Sequence, residues 1–360
     1  MSQNGGAKFY VVVLKSDAMS RYSKRLTLEK IGGWLEVKEY ERSYEEYIRP
    51  VMLYFTEDLN ELAKALSVDS VVPKGLYIMG VYGGEKKKGV ESYAGLILEN
   101  YVLRGGLFEF RLYNTIKVVD VPQSMLKEHG VSVYEMVYVG EIYPFRLRRL
   151  IPILLSREGG GKLREFINKV VEIHRKSLPD EDVKKISKLA EEVEQPENIG
   201  ALKIDRWYAI YRVDRAFTAL TFKPTTNSTV IHSQVGYLES SDENIAYYYA
   251  AVLNYLAYNV IKLKRSFMRH QYGRPLLAIL VAGLAWNNVG NDIRRRVVEL
   301  SKLLHEKVPC KEYSNQKVAL NDISTISEFK ELISALDKCV DRDRLKEALK
   351  IVSGEETEEA

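Results

Sequence analysis

Five cations fall within thirteen residues of this chain: Lys262, Lys264, Arg265, Arg269 and Arg274, interleaved with Phe267, His270 and Tyr272. No acidic residue stands between Glu243 and Asp292. Cations without neighbouring carboxylates attract phosphates and release the counterions condensed on them, and aromatic rings pack on sugars and bases. Two readings of the cluster follow. In the first it is a solvated helix end whose cations favour the negative pole of the helix dipole. In the second it is a phosphate-contacting surface, with the five cations on phosphates and Asn227 and Tyr272 as base or sugar contacts. Arg146, Arg148 and Arg149 extend that surface if folding brings them to the same face.

Other chemistries find less in the chain. Asp17, Glu36 and Lys38 have the residue types of a divalent-metal nuclease, in which carboxylates hold Mg²⁺ and a lysine sits near the attacking water. Strand alternation alone also explains a Glu-Val-Lys tripeptide, and Mg²⁺ is the one cofactor any reading here requires. Gly159–Lys162 reads GGGK between a predicted strand and a predicted helix. A phosphate loop needs glycine six residues before the lysine and Ser or Thr after it; Ser156 and Leu163 stand there instead. The five histidines (His129, His174, His232, His270, His305) show no paired metal spacing, and no serine lies in a nucleophile elbow. Whether the chain is an enzyme stays open, and no catalytic residue other than the Asp17, Glu36, Lys38 set is nominated.

The elements that must position the cluster begin with the stretch that carries it. Ser240 precedes Glu243 by three residues, the spacing of a capping box. Apolar residues then recur at helical spacing through Ile245, Tyr248, Tyr249, Val252, Leu256 and Leu263, with alanines between them. A helix apolar on nearly every side belongs inside a protein. Upstream, Lys8–Lys15, Trp34–Tyr40, Leu76–Val81, Tyr93–Leu103, Leu107–Tyr113, Thr115–Val121 and Val131–Ile142 read as strands, with a helix at Glu57–Leu66. Downstream, 203–224 reads as two strands and 228–238 as a third. Helices are predicted at 163–176, 292–307, 327–340 and 342–351, while the run PLLAILVAGLAW suits helix or strand.

These predict an α+β fold in two domains: a β-rich unit over 1–160, a charged helical connector over 161–200, a second α+β unit with a buried central helix over 201–351, and a disordered acidic tail at 352–360. At 360 residues and 46% hydrophobic, the chain is large enough for a substantial core. A net charge of +4 permits an anionic partner without demanding one. Two cysteines exclude a disulfide scaffold and a multi-cysteine zinc module. Abundant Lys, Glu, Arg and Tyr match the composition of thermophiles. The polar start and the lack of a run of about 20 apolar residues predict a cytoplasmic protein without a membrane segment.

From about Trp207 to His305, the segments TFKPTTNSTVIHSQVGYL, YYYAAVLNYLAYNVI and NDIRRRVVELSKLLHE together resemble the target-recognition domains of DNA methyltransferases and specificity subunits in restriction–modification systems. Asn254 stands where that family has the Asn of a Leu-Asn-Ser motif, followed here by Tyr255. The chain has no Pro-Pro dipeptide, so the Asn-Pro-Pro-aromatic methylation motif is absent. The resemblance implies a DNA-reading module without a methylation centre, with double-stranded DNA and a separate methyltransferase or nuclease subunit as partners. A homo-oligomer is compatible with it. The alternatives are the Mg²⁺ nuclease, and a protein-interaction scaffold in which the tyrosine-rich helix forms the interface.

Overall fold

The computed structural model describes residues 25–27, 39–41, 59–71, 96–112, 118–181, 183, 184, 186, 187, 200–213, 216–232, 234–267 and 273–354. In chain order, β1 (Arg25–Thr27) and β2 (Glu39–Glu41) pair as a small ribbon, followed by α1 (Leu59–Leu66) and β3 (Ser70–Val71). Next come β4 (Leu96–Arg104), β5 (Leu107–Leu112), β6 (Val118–Pro122), α2 (Gln123–Glu128) and β7 (Val131–Val137). The short β8 (Ile142–Tyr143) and β9 (Arg146–Leu147) form a hairpin before β10 (Ile151–Ser156) and α3 (Gly160–His174). Then β11 (Trp207–Arg212), β12 (Ala219–Phe222), β13 (Thr229–Ile231) and β14 (Val235–Ser240) lead into α4 (Glu243–Lys262) and β15 (Ser266–Phe267). The chain closes with α5 (Arg274–Val281), α6 (Asn291–Lys307), α7 (Gln316–Ile323), α8 (Ser327–Asp337), α9 (Arg342–Val352) and β16 (Ser353–Gly354).

The fold is α+β, as the sequence predicts, arranged as four layers. A six-stranded sheet runs β13-β7-β10-β4-β5-β6, antiparallel except for the parallel edge pair β13–β7. A four-stranded antiparallel sheet runs β12-β11-β14-β3. Alternation along each strand sorts side chains between layers. Tyr208 and Ile210 of β11 meet Ile151, Ile153 and Leu155 of β10 between the sheets. Ala209 and Tyr211 face the other way, into the core built on α4. Leu154 of β10 turns outward onto α3, where Leu163, Phe166 and Ile167 are fully buried.

The sheets exchange strands across the predicted units. β13, from residues 229–231, completes the sheet of β4–β10, and β3, from 70–71, completes that of β11–β14. The predicted strand 228–238 divides because Val235 N–H bonds back to His232 O at 3.0 Å, a turn that sends its two halves to different sheets. The predicted connector begins with α3, whose apolar face covers the six-stranded sheet as a layer of the fold. Residues 352–354, counted in the predicted tail, end α9 and form β16, while 355–360 lie outside the described residues. The predicted strands at 8–15, 34–38 and 76–81 also lie outside them.

Helix α4 is the axis of the second half. Fourteen of its side chains are buried, including Tyr248, Tyr249 and Tyr255 at 0% exposure. Full burial of each large apolar side chain contributes about 1.5–3 kcal/mol. The start of the helix differs from the predicted capping box. Ser240 is held in β14 opposite Trp207, so its backbone is committed to the strand. Asp242 caps the helix by accepting from Asn244 N–H at 2.8 Å, and Glu243 pairs with Lys302 at 2.5 Å. The first part of PLLAILVAGLAW, to Val281, folds into the buried helix α5, and the chain leaves the helix at Ala282. Among the described residues no single helix is long and apolar enough to cross a membrane.

Candidate nucleic-acid interface

The cation cluster sits where α4 ends. Lys264 adopts φ +56°, the left-handed conformation that reverses a helix. Its N–H bonds to Ile261 O at 2.8 Å and Arg265 N–H bonds to Val260 O at 3.0 Å, the paired closure of a Schellman motif. This turn leaves Lys262, Leu263 and Lys264 exposed beyond a rigid, buried helix. Among the described residues neither lysine has a carboxylate partner. The helix dipole adds a further favourable field for cations at this end.

Arg265 is half-buried and its Nη1 donates to Ser353 Oγ at 3.4 Å. The next two residues form β15, which pairs antiparallel with β16. Phe267 packs edge-on to Phe217, with centroids 5.8 Å apart. Arg344 of α9 reaches Gly283 just past the end of α5, and these helices pack along their lengths. They therefore run antiparallel, and Arg274, the first residue of α5, lies on the side where α9 ends. Lys350, exposed in the last turn of α9, joins this end of the molecule. Its signal in the sequence is one cation at a helix C-terminus, too common to mark a site. Arg269, His270 and Tyr272 lie outside the described residues.

Asn227 is not brought to this cluster. It is exposed on the loop between β12 and β13, beyond Lys223, whose ammonium lies 4.9 Å from the Trp207 ring centre. Trp207 in turn packs against Tyr247 in the first turns of α4. Tyr247 precedes Lys262 by fifteen residues, about 22 Å along a helix axis. The loop therefore belongs to the opposite end of α4.

Arg146, Arg148 and Arg149 also lie toward that other end and are engaged there. Arg148 grips the buried carboxylate of Glu141 with Nε at 2.5 Å and Nη2 at 2.7 Å, and reaches Glu312 with Nη1 at 2.6 Å. Hydrogen bonding to Glu141 raises its pKa above the usual arginine value, so it stays charged throughout the working range. Arg149 approaches the same carboxylate at 3.5 Å. Arg146 Nη1 donates to His305 O at 2.6 Å, and the His305 ring stands against Tyr247. A buried carboxylate draws arginines inward, and these three do not extend the cation cluster.

Asp17, Glu36 and Lys38 lie outside the described residues. Among the described residues no group of three or more His, Cys, Asp or Glu is arranged to hold a metal ion. The GGGK segment opens α3, with Gly159 at φ +95° and Lys162 turned along the helix to Glu165 at 2.8 Å. Cys310 and Cys339 are free thiols. The tyrosines of α4 are used inside the chain. Tyr248 donates to Leu284 O at 3.0 Å and Tyr255 to Asp337 Oδ1 at 2.7 Å. Tyr249 donates to Leu66 O while accepting from Trp286 N–H at 3.0 Å. Burial pushes all three phenols above their ordinary pKa. None of these three rings is available to an outside partner.

No family model matches the chain, and no curated protein does. Among solved structures it is similar to the Type IIL restriction-modification enzyme MmeI in complex with DNA. Identity is 16% and the TM-score 0.34, over 61% of this chain and 28% of that one. A TM-score of 0.34 does not establish a shared fold.

Proposed function

We propose that this chain binds nucleic acid, and specifically double-stranded DNA, through the cation-bearing end of α4. The observation that carries the reading is the pair Lys262 and Lys264, exposed on a rigid helix end and without carboxylate partners among the described residues. Arg265 and Arg274 adjoin them, and the segment from 244 to 291 contains no acidic residue. Duplex DNA is favoured by the resemblance of residues 207–305 to target-recognition domains, in which the Asn corresponding to Asn254 belongs to the defining helix. On this reading the chain is the recognition component of a restriction or defence assembly, and its partner is a separate methyltransferase or nuclease subunit.

The test is a binding titration with mixed-sequence duplex and single strands at two salt concentrations, with and without Mg²⁺. Steeply salt-dependent duplex binding is expected. Lys262→Ala and Lys264→Ala should each weaken it similarly on all sequences and shallow the salt slope by about one unit. Unchanged slopes, or no binding at low salt, would remove the reading. Mg²⁺-dependent cleavage lost in Glu36→Ala would replace it with the nuclease.

A further inference from the structure

One large apolar side chain stands in the middle of the cation cluster. Leu263, the C-terminal cap of α4, is 48% exposed and lies between the exposed Lys262 and Lys264. From Ile245 to Ile261 every apolar side chain of that helix is buried or half-buried. The backbone under Leu263 is pinned. Its N–H bonds to Asn259 O at 3.1 Å, and the bonds from Lys264 N–H to Ile261 O and from Arg265 N–H to Val260 O close the turn around it. Behind it stands a helix with fourteen buried side chains. A single exposed leucine is ordinary. One fixed on a rigid turn, between two cations that lack carboxylate partners among the described residues, has a counterpart in the grooves of duplex DNA.

Consecutive Cα atoms are about 3.8 Å apart, so those of Lys262 and Lys264 lie within roughly 7.6 Å of each other. The minor groove of B-DNA is about 6 Å wide. Two lysines so spaced reach a phosphate on each wall of that groove while the leucine between them meets its floor. Apolar side chains enter between base pairs from this side, unstack one step and kink the duplex. Such a wedge works only if its base is stiffer than the stack it opens, and the buried α4 meets that condition. We infer that Leu263 is a wedge of this kind, and that the chain selects duplexes with a flexible pyrimidine–purine step, TA or CA, where α4 ends. Those steps are the easiest to unstack. The inference rests on the nucleic-acid reading above and adds to it the kind of duplex preferred.

The test uses the full chain and two duplexes of equal length and composition. In the first, 2-aminopurine replaces the adenine of a central TA, its only pyrimidine–purine step. In the second, the same bases form a stiff A-tract that carries the 2-aminopurine. Binding should raise the fluorescence of the first duplex, as its stack opens, and not of the second. The first should also bind roughly threefold to thirtyfold tighter. Leu263→Ala should abolish the fluorescence rise and the preference while leaving the salt slope unchanged, because no cation is lost. Leu263→Met should retain both. Wild-type binding with neither rise nor preference would overturn the wedge and leave the nucleic-acid reading standing. A Leu263→Ala chain that keeps both would do the same. Equal weakening of that variant on the two duplexes would make Leu263 a structural part of the turn, and would also overturn the inference. No duplex binding at low salt would remove both the wedge and the reading beneath it.

Discussion

The side-chain amide of Asn254 takes the place of a β-strand for Ala219. Its Oδ1 accepts from Ala219 N–H at 2.9 Å and its Nδ2 donates to Ala219 O at 2.8 Å. Ala219 lies on β12, at the edge of the four-stranded sheet, and Asn254 is fully buried in the middle of α4. Asn254 is here a clamp between helix and sheet edge.

Asn254→Ala should therefore destabilise the chain by about 1–3 kcal/mol, because the buried Ala219 N–H loses its acceptor, while Ala219 O keeps the Phe145 N–H at 2.8 Å. Urea unfolding should show a lower midpoint with an unchanged slope. A loss below about 0.5 kcal/mol would mean that water replaces the amide.

A second clamp involves His305. Its Nε2 accepts from Thr221 N–H at 2.7 Å and its Nδ1 donates to Ser301 O at 2.7 Å, which fixes one neutral tautomer. Burial, reinforced by the nearby Arg146 charge, lowers its pKa from 6.5 to about 4. Above pH 6.5 neither folded nor unfolded chain binds this proton. Between 6.5 and 4 only the unfolded chain does, so this residue's contribution to stability is lost as pH falls, by up to roughly 3 kcal/mol. Denaturation curves across that window should show the loss for wild type, and His305→Gln should flatten it. Parallel pH profiles for the two proteins would contradict the assignment.

Lys264 separates stability from binding. A lysine at φ +56° bears a steric cost of about 1 kcal/mol that glycine does not. Lys264→Gly should raise thermal stability modestly while weakening duplex binding and reducing its salt slope by about one unit. A variant both less stable and unchanged in binding would contradict both roles.

Gly236 is required by Tyr211. The two residues pair across β14 and β11, and a Cβ at 236 would stand 2.3 Å from Tyr211 Cζ. The ring is 1% exposed and packed against α4, so it has little room to yield. Gly236→Ala should cost about 1–3 kcal/mol or more by overpacking. The Tyr211→Leu background should recover part of that loss, and equal destabilisation in both backgrounds would show that the ring is not the obstacle.

Much of the local structure follows from sequence alone. The apolar periodicity of 245–263 determines a buried helix, because few side chains on any face tolerate water. The amphipathic spacing of 292–307 determines α6, and the β-branched runs determine most of β4–β12. The acid-free cation cluster is likewise written in the chain. Its placement is not. Tertiary pairing decided that β3 and β13 join sheets far from their neighbours in sequence, because strand partners are selected by which faces can be buried together. α7 carried no strong periodic signal; it is held by its buried Ala319, Leu320 and Ile323 and capped by Asn315, which accepts from Val318 N–H. A buried carboxylate, Glu141, drew Arg148 and Arg149 away from any shared surface with Lys262. Ser240 lost its predicted cap to strand pairing. Sequence determined which residues must be buried or hydrated; only the folded chain decided which charges meet, because ion pairs form between groups whose distance the sequence does not contain.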